Sequence, residues 1–269
     1  MGTPTQHRRT ALVTGATAGI GAAFARRLAG DGYDLVLVAR DGERLATIGK
    51  ELTERHGVRV EPLSADLSTD AGCEPVAERL RATDRPIHLL VNNAGIGLRQ
   101  SFLRTGVEDE ARMVRLNVGA VMRLTHAVLP GMTERGHGAV INVSSVAGFG
   151  PISPGNTYAA SKAWVTNFSE SVAQDAARYN VRVMALCPGF TRTEFHQRAG
   201  IDTDGSPDWM WLDADDVVAA AMRDLGHGRS VSVPNWKYKV AALAIRVTPH
   251  GLLAALGGNT RVQGARNPR

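Results

Sequence analysis

A chain of 269 residues, 43% hydrophobic and 21% charged, has the length and composition of a globular protein with one large core. Cys73 and Cys187 have no CxxC partner or Cys/His companion, which argues against a disulfide framework and a zinc site and predicts a reducing, cytoplasmic setting. The formal charge of +5 is lopsided, because no acid follows Asp224 while seven Lys and Arg do; with 5% aromatic residues, the chain does not suggest a nucleic-acid groove.

The polar start, residues 1–8, reads as a flexible tail with no apolar run of signal-peptide length. Thr10 to Thr14 is then a short apolar strand, and Ala22 to Leu28 continues as helix after a glycine-rich turn. The alternation repeats with a strand at Asp34 to Ala39, a helix at Glu43 to His56, and strands at Val58 to Pro62 and Ile87 to Val91. Gly138 to Val143, Val181 to Leu186 and Ser230 to Val233 complete the set. Apolar, β-branched strands separated by helices predict an α/β, doubly wound Rossmann fold, a mostly parallel seven-stranded sheet with helices on both faces. Ligands of such a fold sit beyond the carboxyl ends of the strands. Residues 9–256 read as one domain and 257–269 as a basic tail; Arg246, Pro249 and His250 interrupt the apolar stretch Val240 to Leu256, so no bilayer span is expected.

The first strand enters Thr14-Gly15-Ala16-Thr17-Ala18-Gly19-Ile20-Gly21, where glycines let the backbone approach a pyrophosphate and the next helix offers free N–H groups. Taken alone, this is also an ordinary tight turn. Tyr158 and Lys162 are spaced i, i+4, so on a helix their ends meet, and an ammonium there would lower the phenol's pKa. Ser144 and Ser145 close an apolar strand, which puts them at the carboxyl edge of the sheet.

TGxxxGIG near the N-terminus, Asn92-Asn93-Ala94-Gly95 and Tyr158-Ala159-Ala160-Ser161-Lys162, in that order over about residues 10 to 195, resemble the classical short-chain dehydrogenases/reductases. The resemblance implies hydride transfer between a nicotinamide cofactor and a small-molecule carbonyl or alcohol. In that scheme Tyr158 transfers the proton, and Ser145, thirteen places earlier, holds the substrate oxygen. Lys162 bonds the nicotinamide ribose, and the Asn117 side chain helps bind a relay water. The cofactor would touch Gly15, Thr17, Gly19, Ile20 and Gly21, then Asn93, Ala94 and Gly95, with Asp66 on the adenine amino group and Leu67 near its ring. Pro188, Gly189, Thr191 and Thr193 would flank the nicotinamide. At the end of the second strand Ala39 replaces the acid that would bond an NAD ribose, and Arg40 follows, a guanidinium suited to a 2′-phosphate; both favour NADP(H). Arg44 reads as a solvated helix residue.

Residues 194–212, with Phe195, His196, Trp209, Met210 and Trp211, resemble a substrate flap. Phe149, Ile152 and Pro154 beside it favour an apolar substrate, ketone, lipid or steroid-like. Trp236 to Leu256 reads as packing on its own domain or on another subunit of a homodimer or homotetramer, with an interfacial membrane element as the less favoured alternative. A non-catalytic nucleotide-binding scaffold is the alternative function, against which the set Asn117, Ser145, Tyr158 and Lys162 argues. The absence of GxSxG and HExxH argues against hydrolases.

Overall fold

The computed structural model describes residues 8–98, 100–151, 156–195 and 207–248. Seven strands form one sheet in the order β3-β2-β1-β4-β5-β6-β7, every neighbouring pair parallel. They are β1 (Thr10–Thr14), β2 (Asp34–Ala39), β3 (Val60–Ser64), β4 (Ile87–Asn92), β5 (Gly138–Val143), β6 (Val181–Leu186) and β7 (Val231–Ser232). Between them run α1 (Gly19–Gly30), α2 (Gly42–His56), α3 (Asp70–Arg81), α4 (Val107–Val114), α5 (Val121–Arg135), α6 (Asn156–Ala177) and α7 (Ala214–Gly226), and α8 (Trp236–Val247) follows the last strand. The strand order reverses between β1 and β4, so a crevice opens at that point beyond the strand ends.

Alternation along the strands divides the core. Val13, Leu35, Val91 and Ile141 pack on one face with Phe24 and Leu28 of α1 and Val217 of α7. Leu12, Val36, Leu90 and Val140 pack on the other with Val76 of α3 and Leu124 of α5. The third strand begins at Val60, two residues later than the apolar pattern predicts. Val58 is buried in the first core instead, and Arg59 turns the chain by donating its N–H to Asp34 Oδ1 at 2.9 Å. Pro62 is tolerated because β3 is an edge strand with one free side. No helix among the described residues is long and apolar enough to cross a membrane.

A buried polar network ties the sheet to its helices. Asn92 Nδ2, at the end of β4, donates to Asn142 Oδ1 at 2.8 Å and to Thr125 Oγ1 at 3.1 Å, and Asn142 Nδ2 donates to Ser169 Oγ at 2.9 Å. The network fixes the end of β4 from which the Asn93 to Gly95 segment departs. Asn142→Ala strands these partners away from water, so urea titration should show a loss of roughly 2–3 kcal/mol of unfolding free energy. A change below about 0.5 kcal/mol would show the network to be dispensable.

Candidate active site

Three glycines shape the turn between β1 and α1, each for a different reason. Gly15 has φ of 65°, and a Cβ there would lie 2.8 Å from Asn93 Nδ2. At Gly21 a Cβ would come within 2.2 Å of Gly15 O, so the helix could not start so close to the turn. Gly19 also has positive φ, and a Cβ there would meet the Thr193 side chain at 2.8 Å. Asn93 secures the turn from the β4 side, its Nδ2 donating to Thr14 O at 2.9 Å and Gly15 O at 3.2 Å. The backbone N–H groups of Asn93 and Ala94 both donate to Thr14 Oγ1. Thr17 is buried in the turn, and Ile20 packs its side chain against the first core. Helix α1 has no side-chain cap and no acid in its first turn, so its leading N–H groups keep their capacity for an anion. A backbone cradle that excludes Cβ atoms, followed by an uncapped helix, fits a dinucleotide pyrophosphate.

At the end of β2, Arg40 is exposed and makes no ion pair or hydrogen bond among the described residues, while its own carbonyl accepts from Ser64 Oγ at 3.0 Å. Asp66 is half-buried and turned back on its chain, accepting from Ser68 N at 3.0 Å and Ser68 Oγ at 2.7 Å. Those hydrogen bonds and the nearby Arg112 hold its carboxyl below the usual range against the opposing effect of burial, which is the largest single influence. The Leu67 side chain does not face the cleft. It is buried in the second core with Val36 and Val38. Arg44 differs from the solvated helix residue expected of it, since its two terminal nitrogens clasp Glu194 at 2.6 Å and 3.3 Å across 150 residues of chain.

The carboxyl end of β5 carries the reactive groups. Ser144 is buried, its hydroxyl donating to Lys162 O at 2.7 Å and sharing a 2.8 Å bond with Thr166, which is a backbone-organising role. Ser145 lies close enough to Tyr158 to favour the charged form of its phenol, and its Oγ accepts from Ala147 N at 3.1 Å. Lys162 is only 5% exposed; its Nζ donates to Val143 O at 2.8 Å and lies 5.6 Å from the centre of the Tyr158 ring. A Cβ on Gly95 would be 3.5 Å from that Nζ.

In the protein alone, desolvation pushes the Tyr158 phenol up to about 12, with Ser145 opposing it, and pushes Lys162 down to about 8. The ammonium is bonded to a strand carbonyl, and burial is the largest influence on both groups. The Asn117 Oδ1 accepts from Ile96 N at 3.0 Å and its Nδ2 donates to Ile96 O at 2.9 Å, so the amide clamps the loop that leaves β4. Asn117 lies in a π-helical turn, Arg115–Ala120, joining α4 to α5; such an extra-residue turn frequently marks a functional site.

Beyond β6, Pro188 O accepts from Val146 N at 3.0 Å and Thr191 Oγ1 donates to Gly189 O at 3.0 Å. Thr193 Oγ1 accepts from Phe195 N at 3.3 Å while its methyl side meets Gly19, so the segment after β6 closes over the glycine turn. The Phe195 ring lies 5.8 Å from that of Tyr158. The two flap tryptophans part company: Trp211 stacks obliquely on Phe190 at 5.6 Å, whereas Trp209 is largely exposed. His196, Ile152 and Pro154 lie outside the described residues. Tyr238 was not legible in advance. Its ring fills the space a Cβ would need at Gly189, and its hydroxyl accepts from Phe190 N at 3.1 Å and donates to Met210 O at 2.8 Å. Only the folding of α8 onto the strand exits brings it there.

A dinucleotide cradle at the switch point of a parallel sheet, beside a serine, tyrosine and buried lysine at the next strand end, defines a Rossmann-type oxidoreductase. The short chain dehydrogenase family profile matches residues 9–203, and the chain belongs to that family. It is 38% identical over 214 residues to sulfoacetaldehyde reductase 2 of Chromohalobacter salexigens, covering 77% of this chain and 84% of that one. A short-chain dehydrogenase from Sphingobium yanoikuyae in complex with NADPH superposes with a TM-score of 0.82 at 36% identity, covering 96% of this chain and 98% of the other. The bulky-bulky ketone specific alcohol dehydrogenase of Comamonas testosteroni matches with a TM-score of 0.78 at 30% identity, covering 97% and 98%.

The lowered lysine has a measurable consequence. With a folded value of about 8 against the ordinary 10.5, the native chain sheds this proton before the unfolded chain does. The cost of burying the charge is present below about pH 8 and is relieved as pH rises toward 10.5. Thermal unfolding of the cofactor-free protein should therefore shift in favour of wild type, relative to Lys162→Met, across that window. A pH-independent difference would show that the lysine titrates normally.

Proposed function

We propose that the chain is an NADP(H)-dependent oxidoreductase acting on a carbonyl or alcohol, with Ser145 and Tyr158 meeting the substrate oxygen. The observation that carries this reading is Tyr158 with the buried Lys162 ammonium 5.6 Å from its ring centre and Ser145 acting on its phenol at the end of β5. NADPH, when bound, supplies the hydride. Ser145 holds the carbonyl oxygen and Tyr158, protonated at neutral pH, delivers its proton to it and regains one from solvent; oxidation is the reverse, in which the phenol first gives its proton to solvent and the phenolate then takes the hydroxyl proton. Lys162 keeps a positive end under the tyrosine and faces the nicotinamide ribose. Asn117 is a positioning residue, holding Ile96 so that Gly95 and Lys162 keep their spacing.

Arg40 receives the 2′-phosphate, supported by its exposure, its freedom from ion pairs and the missing acid at Ala39. Gly15, Thr17, Gly19, Ile20 and Gly21 cradle the pyrophosphate, Asp66 and Leu67 border the adenine, and Asn93, Ala94 and Gly95 line the floor. Pro188, Gly189, Thr191 and Thr193 flank the nicotinamide. The substrate is apolar and bulky, a reading supported by the Phe195 ring beside Tyr158 and by likeness to an enzyme named for bulky ketones. Exposed Leu103, Val107 and Met122 around α4 and α5 support assembly as a homodimer or homotetramer.

Tyr158→Phe should retain NADPH affinity and lose roughly 10²- to 10⁴-fold in kcat, followed by NADPH absorbance over a panel of ketones and alcohols. Undiminished turnover would remove Tyr158 from the chemistry, and no turnover by wild type on any carbonyl would favour the scaffold alternative. Arg40→Ala should weaken NADPH roughly ten- to a hundredfold in fluorescence titration and leave NADH within about twofold. Equal weakening of both nucleotides would count against phosphate recognition.

A further inference from the structure

Helix α8 carries apolar side chains on two opposite faces. The inner face, Tyr238, Ala242 and Ile245, closes the substrate side of the site. Tyr238 covers Gly189, Ala242 is buried, and Ile245 sits where a Cβ on Gly150 would touch it at 2.9 Å. The outer face is Trp236, Val240, Leu243 and Val247, each between 59% and 71% exposed. At about 100° per residue these four fall within roughly 60° of one another, on the side away from the core. Lys237 and Lys239 flank that stripe on either hand. Trp209 of the flap joins the patch, also 61% exposed, with Lys237 Nζ 5.0 Å from its ring centre and 6.0 Å from that of Trp236.

We infer that this outer face docks the protein on an anionic membrane surface, with α8 in the headgroup plane and the substrate mouth behind it. Tryptophans and short aliphatic residues enter the acyl boundary while flanking lysines reach back to lipid phosphates. Charge decides between this occupant and a second copy of the chain. A two-fold contact of α8 on α8 would bring Lys237 and Lys239 of one copy against those of the other, and the helix, Trp236–Val247, carries no acid to offset them. An anionic headgroup layer supplies the missing countercharge.

The inner and outer faces belong to one helix, so docking sets Gly189, Phe190 and Met210 within a helix diameter of the bilayer. The carbonyl substrate is accordingly one dissolved in the lipid phase; this part rests on the oxidoreductase reading, whereas the docking does not.

The test is sedimentation of the full-length protein with phosphatidylcholine vesicles, with and without about a third phosphatidylserine. Wild type should pellet with the anionic vesicles at low salt and be released at roughly 0.5 M salt. The double variant Val240→Glu/Leu243→Glu and the double variant Lys237→Glu/Lys239→Glu should each pellet at least about tenfold less, with turnover on a water-soluble ketone unchanged. Absence of pelleting by wild type overturns the proposal, as does equal pelleting by both variants, which would place binding elsewhere in the chain. Vesicle-free sedimentation velocity supplies a further check: self-association of wild type that Val240→Glu/Leu243→Glu abolishes would assign the face to a second copy. Docking that persists while vesicle-dissolved ketones are turned over no faster than soluble ones would overturn the lipid-phase substrate alone.

Discussion

An ammonium taken almost wholly out of water must find an acceptor, and Lys162 finds it in Val143 O, the last carbonyl of β5. That one bond sets the register between the strand end and α6. Ser144, next along the chain, returns the connection by donating to Lys162 O, and Thr166 donates to the same carbonyl from one turn further on. Ser145 is then delivered to the cleft side of the strand exit, and Tyr158, one turn before Lys162, lies opposite it. Gly148 completes the interlock, because a Cβ there would stand 2.6 Å from the α6 backbone. The reactive groups are thus held by backbone contacts on rigid elements and need no loop to find them.

The other wall of the cleft is assembled from segments far apart in sequence. Gly19 in the turn accepts Thr193 against its bare Cα, and one residue later Glu194 meets Arg44. The pair is about 40% exposed on both sides, so solvent screens it and its contribution to global stability is small. Its geometric effect is larger. It spans from the start of α2, beside Arg40, to the entrance of the substrate flap, so the phosphate end and the substrate end of the cleft share a connection. The hydrogen bond to Glu194 is the main influence holding the Arg44 guanidinium in its charged form.

The strands of the sheet were readable because buried parallel strands are continuous apolar runs, and the Tyr158–Lys162 spacing was readable because one helical turn is a local property. Ser144 and Ser145 followed from their place at the end of such a run, and the thirteen-residue interval to Tyr158 that the family resemblance implies chose Ser145. What escaped depended on side chains meeting across the fold. Leu67 has no local mark that sends it to the core, since the sides of the chain are assigned only when α3 packs under β1 and β2. Asn117 was recognised as a polar residue out of place in a helix, yet its partner is the backbone of Ile96, and the π-helical turn that aims it has no sequence signature of its own. Burial is a further property that spacing does not carry: spacing gives the proximity of Tyr158 and Lys162, but not the desolvation that is the largest influence on both.

Tyr238 shows the reach of such remote contacts. Its hydroxyl bridges Phe190 N, just after β6, and Met210 O, just before α7, and its ring replaces the side chain that Gly189 lacks. A glycine here is required by the partner rather than by its own backbone, whose φ is not positive. Burial raises the Tyr238 phenol, so it stays a neutral donor and acceptor through the pH range in which Lys162 titrates, near 8. A neutral hydroxyl can both give and accept a hydrogen bond, and a phenolate could only accept. The bridge from Phe190 to Met210 therefore persists while the charge on Lys162 changes, which separates this part of the fold from the protonation state of the lysine.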